Sequence, residues 1–327
     1  MTESGPNINE IRALREELRE QIVETPVMRC RAIEEVLGND TEVYAKLEFL
    51  QRTGTFKARG ALATLNGLSA DELRTGVTAV SAGNHAIATA FAAKAVGTSA
   101  KVVMTNSANP SRVAACREYG AEVVLAADVH EAFEMANRIR DEEGRIFVHP
   151  FEGPSIALGT GAVGLEVCEQ VADFDAVVIP VGGGGLIGGI SNAIKQLRPD
   201  AEVIGVEPEG ADSMHRSFAS GKPESIERVE TIADSLGAPF ALPYSFGLTR
   251  SNVDRLVMVN DQQLRECMGF LFQRMKFAVE PACAATTAAM LHPLRESLAG
   301  KRVVLIFCGS NIDWATFSEQ VIFEDVA

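Results

Sequence analysis

The residue best placed for chemistry is Lys57, in the stretch GTFKARGA at 54–61, on the opening turn of a helix between Phe56 and small side chains. A lysine held there, partly desolvated and near a helix amino terminus, has its neutral amine favoured. A neutral amine can form a Schiff base. A second stretch, SAGNHA at 81–86, follows an apolar run and opens an alanine-rich helix. Small residues there let main-chain N–H groups and the positive helix end face an anion such as a carboxylate, and Asn84 adds a directed hydrogen bond. The third, VGGGGLIGG at 181–189, lies between a buried strand and a helix, where consecutive glycines let main-chain donors close on phosphate oxygens. Gly183, Gly185 and Gly188 also spell G-x-G-x-x-G, with Glu207 at the end of the next strand, so a nicotinamide dinucleotide site competes on spacing. In the fourth, CGSNID at 308–313, Cys308 ends the last apolar strand, and its thiol is a weak, uncharged partner for a ring nitrogen. Taken singly, each has a plainer reading: a solvated lysine, a capped turn, a buried thiol.

The elements that position these stretches follow a regular pattern. Ile11, Leu14, Leu18 and Ile22 have helical spacing and stop before Thr25-Pro26. VYAKL at 43–47 reads as a strand, followed by a helix from about Phe56 to Leu68. From Gly76 to Pro150, short apolar runs alternate with helical stretches as β-α-β-α-β-α-β, and a second such series follows from AVVIPV (176–181) through EVIGVE (202–207) and LVMV (256–259) to VVLIFC (303–308). Alternation of this kind predicts parallel sheets covered by helices. The expected organisation is a large α/β domain, 1–75 plus 151–327, with a smaller α/β domain inserted at 76–150. A ligand belongs between them, at the carboxyl ends of the strands.

Composition narrows the classes of function. The 327 residues are 46% hydrophobic and 23% charged, a globular balance. Thirty basic against 44 acidic residues give a net charge of −14, which repels nucleic-acid phosphates and anionic lipid surfaces. No apolar run reaches the roughly 18 to 20 residues needed to span a bilayer, and the amino terminus lacks a signal-peptide layout, so a cytoplasmic protein is expected. Six cysteines without C-x-x-C spacing, and five histidines without H-E-x-x-H, support neither a disulfide framework nor a zinc site.

Together, in this order and at these separations, the four motifs resemble those of the fold-type II pyridoxal-phosphate enzymes, specifically the serine/threonine dehydratase branch that includes threonine ammonia-lyases and serine racemases. The likeness runs from Thr25-Pro26 to Asn311, and E-x-x-x-x-x-G-[ST]-F-K-x-R-G-A is present as Glu48 through Ala61. Lys57-Ala58-Arg59 and SAGNH, where β-replacement branches carry an acidic residue after the lysine and SGNTG, favour elimination. The resemblance implies two open twisted parallel-sheet domains of the tryptophan synthase β type, with pyridoxal 5'-phosphate in the cleft. It implies that Lys57 holds the cofactor as a Schiff base, Phe56 packs beside the ring and Asn84 bonds the ring hydroxyl. Gly182, Gly183, Gly184, Gly185 and Leu186 would donate to the phosphate, and Cys308 would face the pyridine nitrogen. The main chain of Ser81, Ala82, Gly83, Asn84 and His85 would receive the substrate carboxylate.

The chemistry so implied is dehydration and deamination of a β-hydroxy amino acid such as L-threonine or L-serine to a 2-oxo acid and ammonia, with Lys57 as the base at the α-carbon. Alternatives are a 3-hydroxyaspartate dehydratase, with Arg250 or His215 recognising the second carboxylate, a β-replacement enzyme and, more distantly, the nicotinamide oxidoreductase. Racemases of the family carry a serine where Ala82 stands, so little racemisation is expected. Departures from the family pattern are Thr160 and Ala162 within GTGA at 159–162, Met104-Thr105, and Ser235 in place of glycine. Glu207, Ala211 and Ser213 resemble a divalent cation site, for magnesium or a similar ion, although its third ligand is usually a carboxylate and Asp212 lies one residue out of register, where it could cap a helix instead. A homodimer or homotetramer is the common family assembly. With 19 residues after Cys308, no appended regulatory domain is expected and a catabolic role fits better.

Overall fold

The computed structural model describes residues 4–323. Its ten strands are β1 (Val27–Arg29), β2 (Glu42–Leu47), β3 (Val77–Val80), β4 (Ala100–Thr105), β5 (Glu122–Ala126), β6 (Ile146–Phe147), β7 (Ala176–Pro180), β8 (Glu202–Pro208), β9 (Arg255–Val259) and β10 (Arg302–Phe307). They form a six-stranded sheet in the order β1-β2-β10-β7-β8-β9 and a four-stranded sheet in the order β5-β4-β3-β6. Every pairing is parallel except β1 with β2. The antiparallel β1 is an edge strand of three residues, too short for its alternation to show in the sequence.

The central strands are continuous apolar runs because helices cover both of their faces. Every residue of β7 is buried, and in β10 all but Arg302. β10 sits between β2 and β7 with Leu305 level with Ala45 and Val178. The helix Pro281–Leu291, buried along its whole length, packs on this part of the sheet.

The helix Pro154–Gln170 was not foreseen. Three glycines and a near-uniform apolar composition hide its helical periodicity. Their purpose is close approach: a Cβ on Gly159 would come within 2.4 Å of the Arg59 carbonyl oxygen. That contact seats this helix directly under the helix Lys57–Asn66, and it also packs along Gly185–Leu197. Among the described residues no helix is long and apolar enough to cross a membrane.

Candidate active site

Lys57 is the first residue of its helix, and the chain enters it by pairing with the far end of the sequence. Thr55 bridges Gly309, and the Phe56 N–H donates to the Cys308 carbonyl (3.2 Å). This pairing, made by residues just past β2 and β10, brings lysine and thiol to one place. Lys57 Nζ donates to the Pro150 carbonyl at 2.6 Å and lies 5.1 Å from the Phe56 ring centre. Burial pulls its pKa down to about 8, against the opposing pull of Cys308 and Glu280. The Cys308 thiol is raised well above its ordinary value by its hydrogen bond with Cys283 and by burial, so its proton stays on sulfur.

Asn84 opens the helix Asn84–Val96 after β3. Its Nδ2 donates to both oxygens of Glu280 (2.9 and 3.0 Å) and to Ser235 Oγ (3.1 Å), while its Oδ1 accepts from Asn311 Nδ2 (2.9 Å). Burial raises the Glu280 carboxyl to about 7, and the Asn84 hydrogen bond and the Arg112 charge only partly offset that. Arg112 reaches across from the other side, bonding Asp234 and the Asn311 carbonyl. Sequence reasoning missed Glu280 as a site residue. The available signal was a lone acid directly before Pro281, at the mouth of an otherwise apolar helix.

The Gly185–Leu197 helix follows β7, and its first N–H groups lack intrahelical acceptors. Gly184 has φ +92°, in the left-handed region, and a side chain there would also press on Met214. A Cβ at Gly183 or Gly185 would strike Phe151, at 2.4 and 2.6 Å. Phe56, Lys57, Asn84, the Gly182–Leu186 segment, Glu280 and Cys308 line one crevice enclosing about 410 Å³, open mouth included.

Lys57 and Asn84 also face a second, wider chamber of about 1150 Å³, again counted with its mouth, which Ser81, Ala82, Gly83 and His85 help to line. The N–H groups of Asn84 and His85 point from the helix start and have no intrahelical acceptor. Ser81 Oγ accepts from Gly83 N–H at 3.1 Å. Burial, with the Lys57 charge, holds the His85 imidazole down to about 3, so it is neutral, and its Nε2 donates to the Val148 carbonyl at 2.8 Å. Valines 80 and 103 and the phenylalanines 133, 151 and 240 make the rest of the chamber largely apolar.

The expected cation ligands stand at the end of β8, away from both cavities. Glu207 is fully buried, and its oxygens are taken up by Met214 N–H (2.9 Å), His215 N–H (2.8 Å) and the His215 ring at Nδ1 (2.6 Å). Ser213 Oγ donates to the Ala238 carbonyl (3.1 Å), and the Asp212 carboxylate takes the Arg216 guanidinium instead of capping the helix. Among the described residues no three His, Cys, Asp or Glu side chains gather in a metal-binding arrangement. The side-chain oxygens of Glu207 and Ser213, two of the expected cation ligands, are thus already hydrogen-bonded within the protein. Of the two groups considered for a second substrate carboxylate, Arg250 lies over the Phe218 ring (5.1 Å) and His215 is engaged by Glu207, and neither lines the chamber.

A family model described as pyridoxal-phosphate dependent enzyme matches residues 18–309. A phenylserine dehydratase of Ralstonia pickettii is 52% identical over 320 residues, 98% of each chain. An L-threonine ammonia-lyase of Thermotoga maritima is 39% identical over 94% of this chain and 76% of its own. The solved structure of maize serine racemase superposes with a TM-score of 0.91 at 32% identity, over 96% of both chains.

Proposed function

Because the chain belongs to the pyridoxal-phosphate dependent enzyme family, we propose that it converts a β-hydroxy amino acid to a 2-oxo acid and ammonia by β-elimination, preferring an aryl group at the β-carbon. The residues present fit the cofactor. An amine, an uncharged thiol and an amide donor line one crevice with a glycine segment at a helix start, where side chains would collide with Phe151. When bound, pyridoxal phosphate supplies a carbon to which amines attach and a conjugated sink for electrons released at the substrate α-carbon.

Lys57 holds the cofactor through Nζ. Its depressed pKa leaves much of the amine neutral near pH 8, which suits it to act as the base that would take the substrate's α-proton. The first N–H groups of the Gly185–Leu197 helix would hold the phosphate, and Phe56 would pack beside the ring. Cys308 would offer the ring nitrogen an uncharged partner, and Asn84 would turn its amide toward the ring oxygen. The N–H groups at Asn84 and His85 take the substrate carboxylate, and His85, being neutral, adds no charge there. Ala82 carries no transferable proton, which favours elimination over racemisation.

One observation carries the aryl preference: the chamber that opens on Lys57 is walled by Phe133, Phe151 and Phe240 and holds no Lys or Arg besides Lys57. A second carboxylate, as in 3-hydroxyaspartate, would meet at the chamber's edge an Arg112 already paired with Asp234. The Ralstonia relative named for phenylserine supports the same reading. The nicotinamide alternative leaves Lys57 and the SAGNH turn without a use.

The test is a panel of serine, threonine, phenylserine and 3-hydroxyaspartate, scored by 2-oxo acid and ammonia released. Burying a phenyl-sized group contributes about 1.5–3 kcal/mol, so kcat/KM for phenylserine should exceed that for threonine by roughly ten- to a hundredfold. Phe133→Ala should narrow the gap. Serine or 3-hydroxyaspartate at the top of the ranking would refute the aryl preference, and no 2-oxo acid from any of the four would refute elimination.

A further inference from the structure

The fully buried Glu207 carboxylate at the carboxyl end of β8 is where the family resemblance calls for a divalent cation. The donor set points the other way. Magnesium and calcium take six or more oxygen ligands from carboxylates, carbonyls and water, each offering a lone pair to the ion. Here three N–H donors already converge on the two Glu207 oxygens, from the Met214 and His215 main chain and from the His215 ring, all within 2.9 Å. Those hydrogens point at the space a cation would occupy. The two other expected ligands give no help. Ser213 spends its hydroxyl on the Ala238 carbonyl, and Ala211 has only its main-chain carbonyl to offer.

We propose that this enzyme holds no divalent cation at Glu207 and that the His215 side chain does the bracing a cation would do there. The brace has a clear load. Glu207 fixes the start of the helix Ser213–Ser220, and two neighbouring residues carry that position into the functional cavities. The Met214 side chain lies against the Gly184 turn of the glycine segment. Ser213 bonds Ala238, which lies in the 237–240 stretch that walls the substrate chamber. Losing the Glu207–His215 contact therefore loosens the phosphate cradle and the chamber wall together, although His215 touches neither. His215 is a positioning residue.

The inference rests on family membership and not on the choice of substrate, so its test avoids turnover. Holoenzyme dialysed against EDTA is melted alone and with magnesium, calcium or manganese chloride, and its metal content is measured by atomic emission. A site filled to a hundred times its dissociation constant raises a midpoint by several degrees. The expected result is a shift under about 1 °C with every ion, on that same scale, and no stoichiometric metal. A rise of several degrees with any one of them, or one bound ion per chain, overturns the proposal. In parallel, His215→Ala should melt several degrees lower and bind the cofactor more weakly, whereas Arg216→Ala, which removes an exposed ion pair with Asp212, should do neither. If the two variants match wild type equally well, His215 has no bracing role. Should His215→Ala fail to accumulate, the wild-type cation titration still decides the matter.

Discussion

Two lysines eleven residues apart, the fully buried Lys46 and the partly buried Lys57, show what removal from water does with and without a counter-charge. Lys46 Nζ is held by Glu166 (2.5 Å), the Thr25 carbonyl (2.5 Å) and Gln170 (3.0 Å). Around it, Arg59 makes two-pronged contacts with both Glu48 and Glu166, and all four charged side chains, Lys46, Glu48, Arg59 and Glu166, are fully buried. Two cations face two anions, so the cluster is neutral and closed. Lys57 is near Glu280 and Cys308, and among the described residues the Pro150 carbonyl is the one acceptor of its Nζ. The first cluster is inert framework under the helix that presents Lys57. The second leaves an amine and a carboxyl displaced to about 8 and about 7, where each can gain or lose a proton near neutrality. Identical side chains take structural or chemical roles according to whether their charge is answered.

The contrast is sharpest at the lysine itself. Lys57→Ala should lower turnover by at least about a thousandfold, the scale on which a residue acting as both attachment point and base matters, while the melting midpoint of the cofactor-free protein holds or rises. An unstable Lys57→Ala protein would mean that this lysine, too, belongs to the framework. The closed cluster should behave in the opposite sense. Glu166→Ala strands Lys46 and part of Arg59 in the interior and should cost about 3–5 kcal/mol in denaturant unfolding, with turnover per folded molecule little changed. A mild loss there would show that water enters the cluster.

A smaller effect separates the carboxyls. Glu280, raised to about 7 from the usual value near 4.5, binds a proton in the folded chain that the unfolded chain has already released between those pH values. Its contribution to stability is complete below about 4.5 and fades as pH climbs through 7. His85 and His149, held down to about 3 and about 4, work against it, since they destabilise the fold as pH drops below 6.5. The wild-type curve therefore blends both trends, and the difference between wild type and Glu280→Gln isolates the carboxyl. That difference should favour wild type by about 1–3 kcal/mol more at pH 5 than at pH 8. A flat difference would place Glu280 among ordinary ionised acids.

Much of this was legible in the sequence, for a physical reason. Buried parallel strands are apolar from end to end, so β3, β4, β7, β8 and β10 stood out, and glycines and a lysine at strand ends marked the places where a ligand can approach. What stayed hidden depends on partners far away in the chain. Arg59 meets Glu48 eleven residues back and Glu166 another 107 residues on, and no spacing rule links Asn84 to Glu280. The Pro154–Gln170 helix was lost because its glycines answer to the backbone of another helix instead of its own periodicity. Glu207 was placed at the end of its strand, but its contact with His215 stayed hidden, since His215 reads as a surface residue until the turn before it is folded.

The central claim, that the unanswered charge at Lys57 is where the cofactor attaches, has a direct measurement. Holoenzyme is reduced with borohydride, digested and mapped by mass spectrometry. The account predicts a single pyridoxyl-phosphate adduct on Lys57 together with loss of the visible absorption band. An adduct on any other lysine, or an unmodified Lys57 in protein that had carried the band, would contradict it.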